Sequence, residues 1–247
     1  MSTVAAGATV AGAFRVGAVL LVAYLVAGQP VVGGWSQRRF TRSLLFDPAA
    51  RLARYRRTML IEWPLAAVAL LLVALAPGLD LADSGVRWPR LTGYTVVGGL
   101  GLVASAGLLA GLRRRVDRGV DVVAPAEVAV LLPRTAAERR VFLGLAVSAG
   151  VCEETLYRGF LLAVVTALAP DLAAGWLAVV SALAFGLAHV YQGALGVATS
   201  VVLGGCLAVL YLGSGSLLLP VLYHVLIDLR VLVLAVGRRR QPRHRAV

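Results

Sequence analysis

The sequence predicts an all-α polytopic membrane bundle of about seven to eight transmembrane helices around a cytoplasm-facing cavity, and three observations predict it. Of 247 residues, 60% are hydrophobic and 15% charged, with a mean hydropathy of +0.85, whereas a soluble domain carries about 25% charged residues. Apolar runs recur at 16–33, 59–77, 91–112, 141–167, 174–191, 194–213 and 216–236, each near the roughly 20 residues that cross a bilayer core. The net charge of +12, all of it from arginine, gathers in alternate connectors rather than in one face.

That distribution orients the spans. Arginines crowd the segments 38–57, 113–140 and 238–245, while the opposite side holds only Arg87 and Arg90. By the positive-inside rule the N-terminus lies outside and the C-terminus in the cytoplasm. The chain reads as one integral membrane domain, 1–247, with cytoplasmic connectors at 34–58 and 113–140 and a basic tail at 237–247. A nucleic-acid partner is excluded, because no aromatic-interleaved basic patch accompanies the charge.

The first span lacks a basic n-region and a small-residue cleavage site, so it is expected to be retained. After it, residues 40–57 read either as an amphipathic segment on anionic headgroups or as a solvated connector. The second span carries Glu62, and Arg15 and Arg230 stand near the ends of the first and last; all three are expected to snorkel to the interface. Gly98, Gly99, Gly101 and Gly107 in the third span, and Gly204 and Gly205 in the sixth, allow close helix approach. Cys152 and Cys206 both lie inside spans, so no disulfide framework is implied, and a buried thiol describes Cys152 better than a nucleophile.

The fourth span starts at a capping-box pattern, Thr135 to Glu138, and can run to about Leu168. If it enters the membrane near Val141, Glu153 lies about 18 Å deep. Ionisable groups at such depth are functional candidates. Glu154 and Arg158 are four apart and can pair on one face, which leaves Glu153, about 100° away on the face of Tyr157, without that partner. The bland alternative is that both acids only lock helices together.

His189 in "AFGLAHVYQG" and His224 in "LYHVLIDLR" are the two histidines inside spans; His244 is in the tail. His224 and Asp228 share a helix face, as do Phe185 and His189. A lone membrane histidine is more often a hydrogen-bond partner. Two of them with an unpaired carboxylate on a third helix make a constellation.

"EETLYR", "FGLAH" and "HVLID" have the forms EExxxR, FxxxH and HxxxN/D, in that order on three helices. Together they resemble the CPBP family of intramembrane proteases, which includes type II CAAX prenyl endopeptidases and bacteriocin-processing or immunity-related bacterial proteins. The motifs define a core at about 135–236. The resemblance implies hydrolysis of a peptide bond in a membrane-associated protein or peptide, with Glu153 activating water as general base and His189 holding that water. His224 and Asp228 would stabilise the oxyanion, and Glu154 and Arg158 would support the helix. Since the family's last position is commonly asparagine, Asp228 either carries a proton or orients His224.

The family is often described as metalloproteases, so zinc on Glu153, His189 and His224 is possible; without an HExxH motif the metal-free glutamate mechanism is favoured. Depth poses a difficulty, because straight spans put His189 near the cytoplasmic end and His224 about 12 Å from the opposite surface. The expected answer is tilted or extended helices around a water-filled cavity open to the cytoplasm. Two other functions compete: a non-catalytic immunity or scaffold protein, and a proton-coupled transporter. The partners implied are the bilayer and the substrate, and the compactness and alanine-rich, lysine-free composition suggest a bacterial inner membrane.

Overall fold

The computed structural model describes residues 2–120 and 126–240. Tail residues 241–247, with His244, and connector residues 121–125 lie outside the described residues. Helix α1 (Ser2–Ala23) passes through a π-helical turn (Tyr24–Gly28) into α2 (Gln29–Ser43). Then follow α3 (Ala50–Leu75), α4 (Gly93–Asp117), the single turn α5 (Ala126–Ala129) and α6 (Ala136–Glu154). A second π turn (Thr155–Phe160) carries α6 into α7 (Leu161–Leu168), and α8 (Ala174–Ala188), a 3-10 turn (Val190–Gln192), α9 (Gly193–Ser214) and α10 (Leu218–Arg240) complete the chain.

Joined across their π turns, these helices form seven rods at the positions of the seven apolar runs. Among the described residues, five helices are long and apolar enough to cross a membrane. The α6–α7 rod falls outside that five because it carries the buried acids and arginine of the fourth run, and α8 because it has only 15 residues. Residues 40–57 are not one amphipathic helix: α2 ends at Ser43 and α3 starts at Ala50. The turn between them leaves Leu45 and Phe46 exposed.

Helices α3 and α6 lie side by side and run the same way. Arg51 Nη1 meets Glu138 Oε1 at 3.4 Å, Tyr55 packs edge-on to Phe142 with centroids 5.3 Å apart, and Trp63 Nε1 donates to Ser148 Oγ at 3.0 Å. These pairs climb both helices in step, as parallel neighbours require. The capping box forms as its sequence pattern predicts: Thr135 Oγ1 accepts from Glu138 N at 3.0 Å, and Glu138 Oε2 accepts from Thr135 N at 3.1 Å. Arg51 is buried, and its Nε donates to Val130 O, so one carboxylate ties the entry of α6 to the base of α3.

Helix α10 begins inside the bundle. Ser214 and Ser216 are fully buried, and the loop after α3 folds over them. Leu217 N donates to Gly85 O at 3.0 Å, Ser216 Oγ to Arg87 O at 2.5 Å and Arg90 N to Ser214 O at 2.9 Å. The open N-terminus of α10 thus finds partners away from water, including Ser216 Oγ, which accepts from Leu218 N at 3.2 Å. Gly159 touches the same loop, since a Cβ there would meet Ser84 O at 2.9 Å and Leu217 at 3.5 Å. The start of α10 is therefore level with Gly159, about 13 Å short of the end of α7 by the helical rise. Straight full-length spans are the wrong premise, and the depth mismatch between His189 and His224 disappears. Gly150 then lets α10 close on α6: an added Cβ would stand 3.2 Å from both Val221 O and Val225 N.

Burial alone would push the Glu138 carboxyl up, but backbone N–H groups of Arg134 and Thr135 and the Arg51 guanidinium outweigh it and hold it below the ordinary carboxylate range. A lowered folded pKa gives stability that is fully present above the unfolded value of about 4.3 and is lost as pH falls through the folded value. Glu138→Gln should therefore lower the Tm in detergent at neutral pH by the equivalent of about 1–3 kcal/mol, through the weakened cap and the unpaired Arg51. The difference from wild type should shrink on acidification below about pH 4. Thermal unfolding across pH checks it, and a pH-independent difference contradicts it.

Candidate active site

Glu154 and Arg158 make the predicted ion pair, Nη1 to Oε1 at 2.9 Å, with both side chains wholly buried. The carboxylate has a second partner that the sequence did not reveal: His224 Nδ1 stands 2.7 Å from the same Oε1. An oxygen already receiving an arginine N–H is an acceptor, which assigns the proton between them to Nδ1. Arg158 reaches further, donating from Nη2 to Gly204 O at 3.0 Å and lying 4.4 Å over the Phe185 ring. A Cβ at Gly204 would sit 3.2 Å from that Nη2 and 3.0 Å from the Phe185 ring, so glycine admits the guanidinium.

The π turn carries this arrangement. Its wider winding releases carbonyls from the helix ladder, and Ser181 Oγ donates to Tyr157 O at 3.1 Å. Tyr157 faces the first rod, where its hydroxyl donates to Gln29 Oε1 at 2.8 Å.

Glu153 faces the other way, toward both histidines. Its Oε2 is 3.8 Å from His189 Nε2 and 3.8 Å from His224 Nε2, while His224 Nε2 is 4.0 Å from Asp228 Oδ2. His189 terminates α8, and its Nδ1 lies 2.8 Å from Phe185 O. A carbonyl only accepts, so here too Nδ1 carries the proton. Both imidazoles, if neutral, thus aim an Nε2 lone pair at the Glu153 carboxylate. Separations of 3.8 Å are too long for direct hydrogen bonds and suit groups bridged by one water. The four residues singled out from the sequence are brought together at one place, within a shell of Phe185 and His189 rings 4.5 Å apart.

Several expectations need correction. Glu62 does not snorkel: its Oε2 is buried without a hydrogen-bond donor, and its carboxyl is within hydrogen-bonding reach of Glu153 and within electrostatic reach of His224 and Asp228. The parallel register of α3 and α6 puts it there, a signal that no single-helix periodicity carries. Tyr191, two residues past His189, also interacts with Glu153 and Asp228. His224 is oriented by Glu154 rather than by Asp228, whose side chain is 31% exposed and is the most open of the site. Two cavities, of about 280 and 340 Å³, lie beside Arg87 and Arg90 and between α2 and α3. Neither is lined by Glu153, His189 or His224. Cys152 is buried and Cys206 exposed, both as free thiols. Arg15 and Arg230 are exposed.

The donor set of two imidazoles and a carboxylate has the right chemistry for zinc, but the spacing does not close. Tetrahedral zinc ligands stand about 3.3 Å apart, against 3.8 Å from Glu153 to each histidine. Among the described residues no group of three His, Cys, Asp or Glu side chains is arranged to hold a metal ion.

Acids and imidazoles thus converge inside a polytopic helical bundle. Residues 136–230 match the family described as Type II CAAX prenyl endopeptidase Rce1-like, which supports a CAAX-type intramembrane protease. The match runs from the start of α6 to residue 230 within α10, takes in all three motifs, and leaves α1 to α5 outside. No curated protein and no solved structure matches the chain.

Removing the guanidinium would strand Glu154 as a buried charge, a loss of about 3–5 kcal/mol. Arg158→Leu should therefore fold poorly or lose most of its thermal stability in detergent, whereas Arg158→Lys should recover part of it by keeping a cation near Glu154. Thermal unfolding of the purified variants measures this, and a wild-type Tm for Arg158→Leu contradicts the role assigned to the pair.

Proposed function

We propose that the protein is an intramembrane endopeptidase that cleaves a peptide bond of a membrane-associated protein or peptide with water activated by Glu153. The observation that carries this reading is the convergence of Glu153 Oε2 and two imidazole Nε2 atoms at equal distances of 3.8 Å. A water bridging these groups donates one proton to Glu153 while its oxygen attacks the scissile carbonyl carbon, and His189 accepts its second hydrogen bond. As the tetrahedral intermediate collapses, Glu153 returns the proton to the leaving amine nitrogen, and the products are a carboxylic acid and an amine.

Negative charge on the carbonyl oxygen needs donors. His224 supplies one when Nε2 also carries a proton, since its Nδ1–H is committed to Glu154, and a protonated Asp228 supplies another. The short 3.8 Å reach and deep burial suit a narrow, extended peptide segment better than a folded substrate. The family description points to peptides ending in a prenylated CAAX sequence as the first substrates to try. We place the protein in the cell membrane with its N-terminus outside and C-terminus in the cytoplasm, on the arginine distribution.

In proteoliposomes holding a prenylated CAAX peptide and an unprenylated membrane-anchored peptide of the same sequence, wild type should release a C-terminal fragment from at least one. Glu153→Gln is near-isosteric and cannot accept a proton, so it should cut the rate by about 10²–10⁴-fold with an unchanged Tm. Equal cleavage by both proteins would remove Glu153 as the base. Proton or solute flux abolished by Glu153→Gln, with no cleavage by wild type, would favour transport instead.

A further inference from the structure

The candidate site contains one acid that neither the three motifs nor the matched family segment includes. Glu62 sits on α3, one residue before Trp63, whose indole N–H is fixed on Ser148 Oγ at 3.0 Å. The ladder of contacts from Arg51–Glu138 upward sets α3 against α6, and Glu62 interacts directly with Glu153. Glu62 Oε2 and Glu153 Oε2 are both buried and neither receives a hydrogen bond, yet the two carboxyl groups are in reach of each other. Glu62 forms no ion pair among the described residues; the ionisable groups facing it are Glu153, His224, Asp228, Tyr24 and Cys152.

An acid that merely locked helices would hold an arginine, as Glu138 holds Arg51 and Glu154 holds Arg158. Two ionised carboxylates side by side away from water repel, and neither can donate. Their contact is favourable only with a proton between them, when one becomes a donor to the other. Such a bond would restrict the rotamers of Glu153, whose Oε2 must stand equidistant from two imidazoles.

We propose that Glu62 is a positioning residue: its carboxyl holds the Glu153 carboxyl in place through a proton shared between the two, from a helix outside the matched family segment. The proposal deepens the reading of Glu153 as the base and rests on it for its effect on turnover. The hydrogen bond itself does not depend on that reading.

Two measurements test it. Infrared difference spectra between wild type and Glu62→Gln in the same detergent should show a protonated-carboxyl C=O band in wild type that is missing from the variant. In the proteoliposome assay, Glu62→Leu, which removes the donor, should lower kcat by about 10–100-fold with KM unchanged, as expected for a misplaced reacting group. Glu62→Gln retains an N–H donor and should restore kcat to within a few-fold of wild type. The proposal is overturned by an unchanged infrared band, by Glu62→Gln falling as far as Glu62→Leu, or by full turnover in Glu62→Leu. If Glu62→Leu does not fold, the infrared band and Glu62→Gln still decide. If Glu153→Gln cleaves like wild type, it is the endopeptidase reading that fails, and the infrared band continues to test the Glu62–Glu153 bond.

Discussion

One carboxylate oxygen, Glu154 Oε1, accepts from Arg158 Nη1 at 2.9 Å and from His224 Nδ1 at 2.7 Å, and the rest of the candidate site depends on it. Burying Arg158 and Glu154 completely is costly unless each is well paired. The pairing enlists most of the motif-bearing bundle: Glu154 from the end of α6, Arg158 from the π turn, Gly204 O from α9, the Phe185 face from α8 and His224 from α10. A change in any of these helices disturbs a buried charge, which fixes their relative positions far more tightly than apolar side chains of adaptable packing would.

This constraint sets the chemistry of the neighbouring residue. With Nδ1 of His224 bound to Glu154 and Nδ1 of His189 bound to Phe185 O, the ring atoms left for reaction are both Nε2, and both face Glu153. Two adjacent glutamates on one helix therefore serve different ends. Glu154 holds the site together through one oxygen, Oε1, which accepts from Arg158 and His224, and Glu153 turns an oxygen without a donor toward both Nε2 atoms. Phe185 joins the two halves, its ring 4.4 Å from the Arg158 guanidinium and 4.5 Å from the His189 ring.

Much of this was legible in the sequence. Seven apolar runs became seven rods because bilayer-length hydrophobicity is a strong, local signal, and the Thr135–Glu138 box formed because capping needs only four residues. The Glu154–Arg158 pair followed from i, i+4 spacing. What escaped was non-local. The partner of His224 lies 70 residues away, and nothing on α10 distinguishes Glu154 from Asp228 as its acceptor. Glu62 reads as an end-of-span acid until the parallel register of α3 and α6 is known. The apparent depth conflict between His189 and His224 arose from assuming that each helix starts at the membrane surface, whereas the buried start of α10 at Ser216 is covered by the loop holding Gly85 and Arg87.

The central claim is that Glu154 fixes the tautomer of His224 and so directs its Nε2 toward Glu153. Nitrogen-15 NMR of histidine-labelled protein, with His189 and His244 assigned by substitution, reads that tautomer directly. In wild type the His224 Nδ1–H should exchange slowly, and in the Glu154→Leu/Arg158→Leu double variant, which removes the acceptor without stranding a buried charge, it should disappear, with the Nε2 signal shifting as the ring is released. A His224 protonated only at Nε2 in the wild type, or a His224 spectrum unaltered in that double variant, would contradict it.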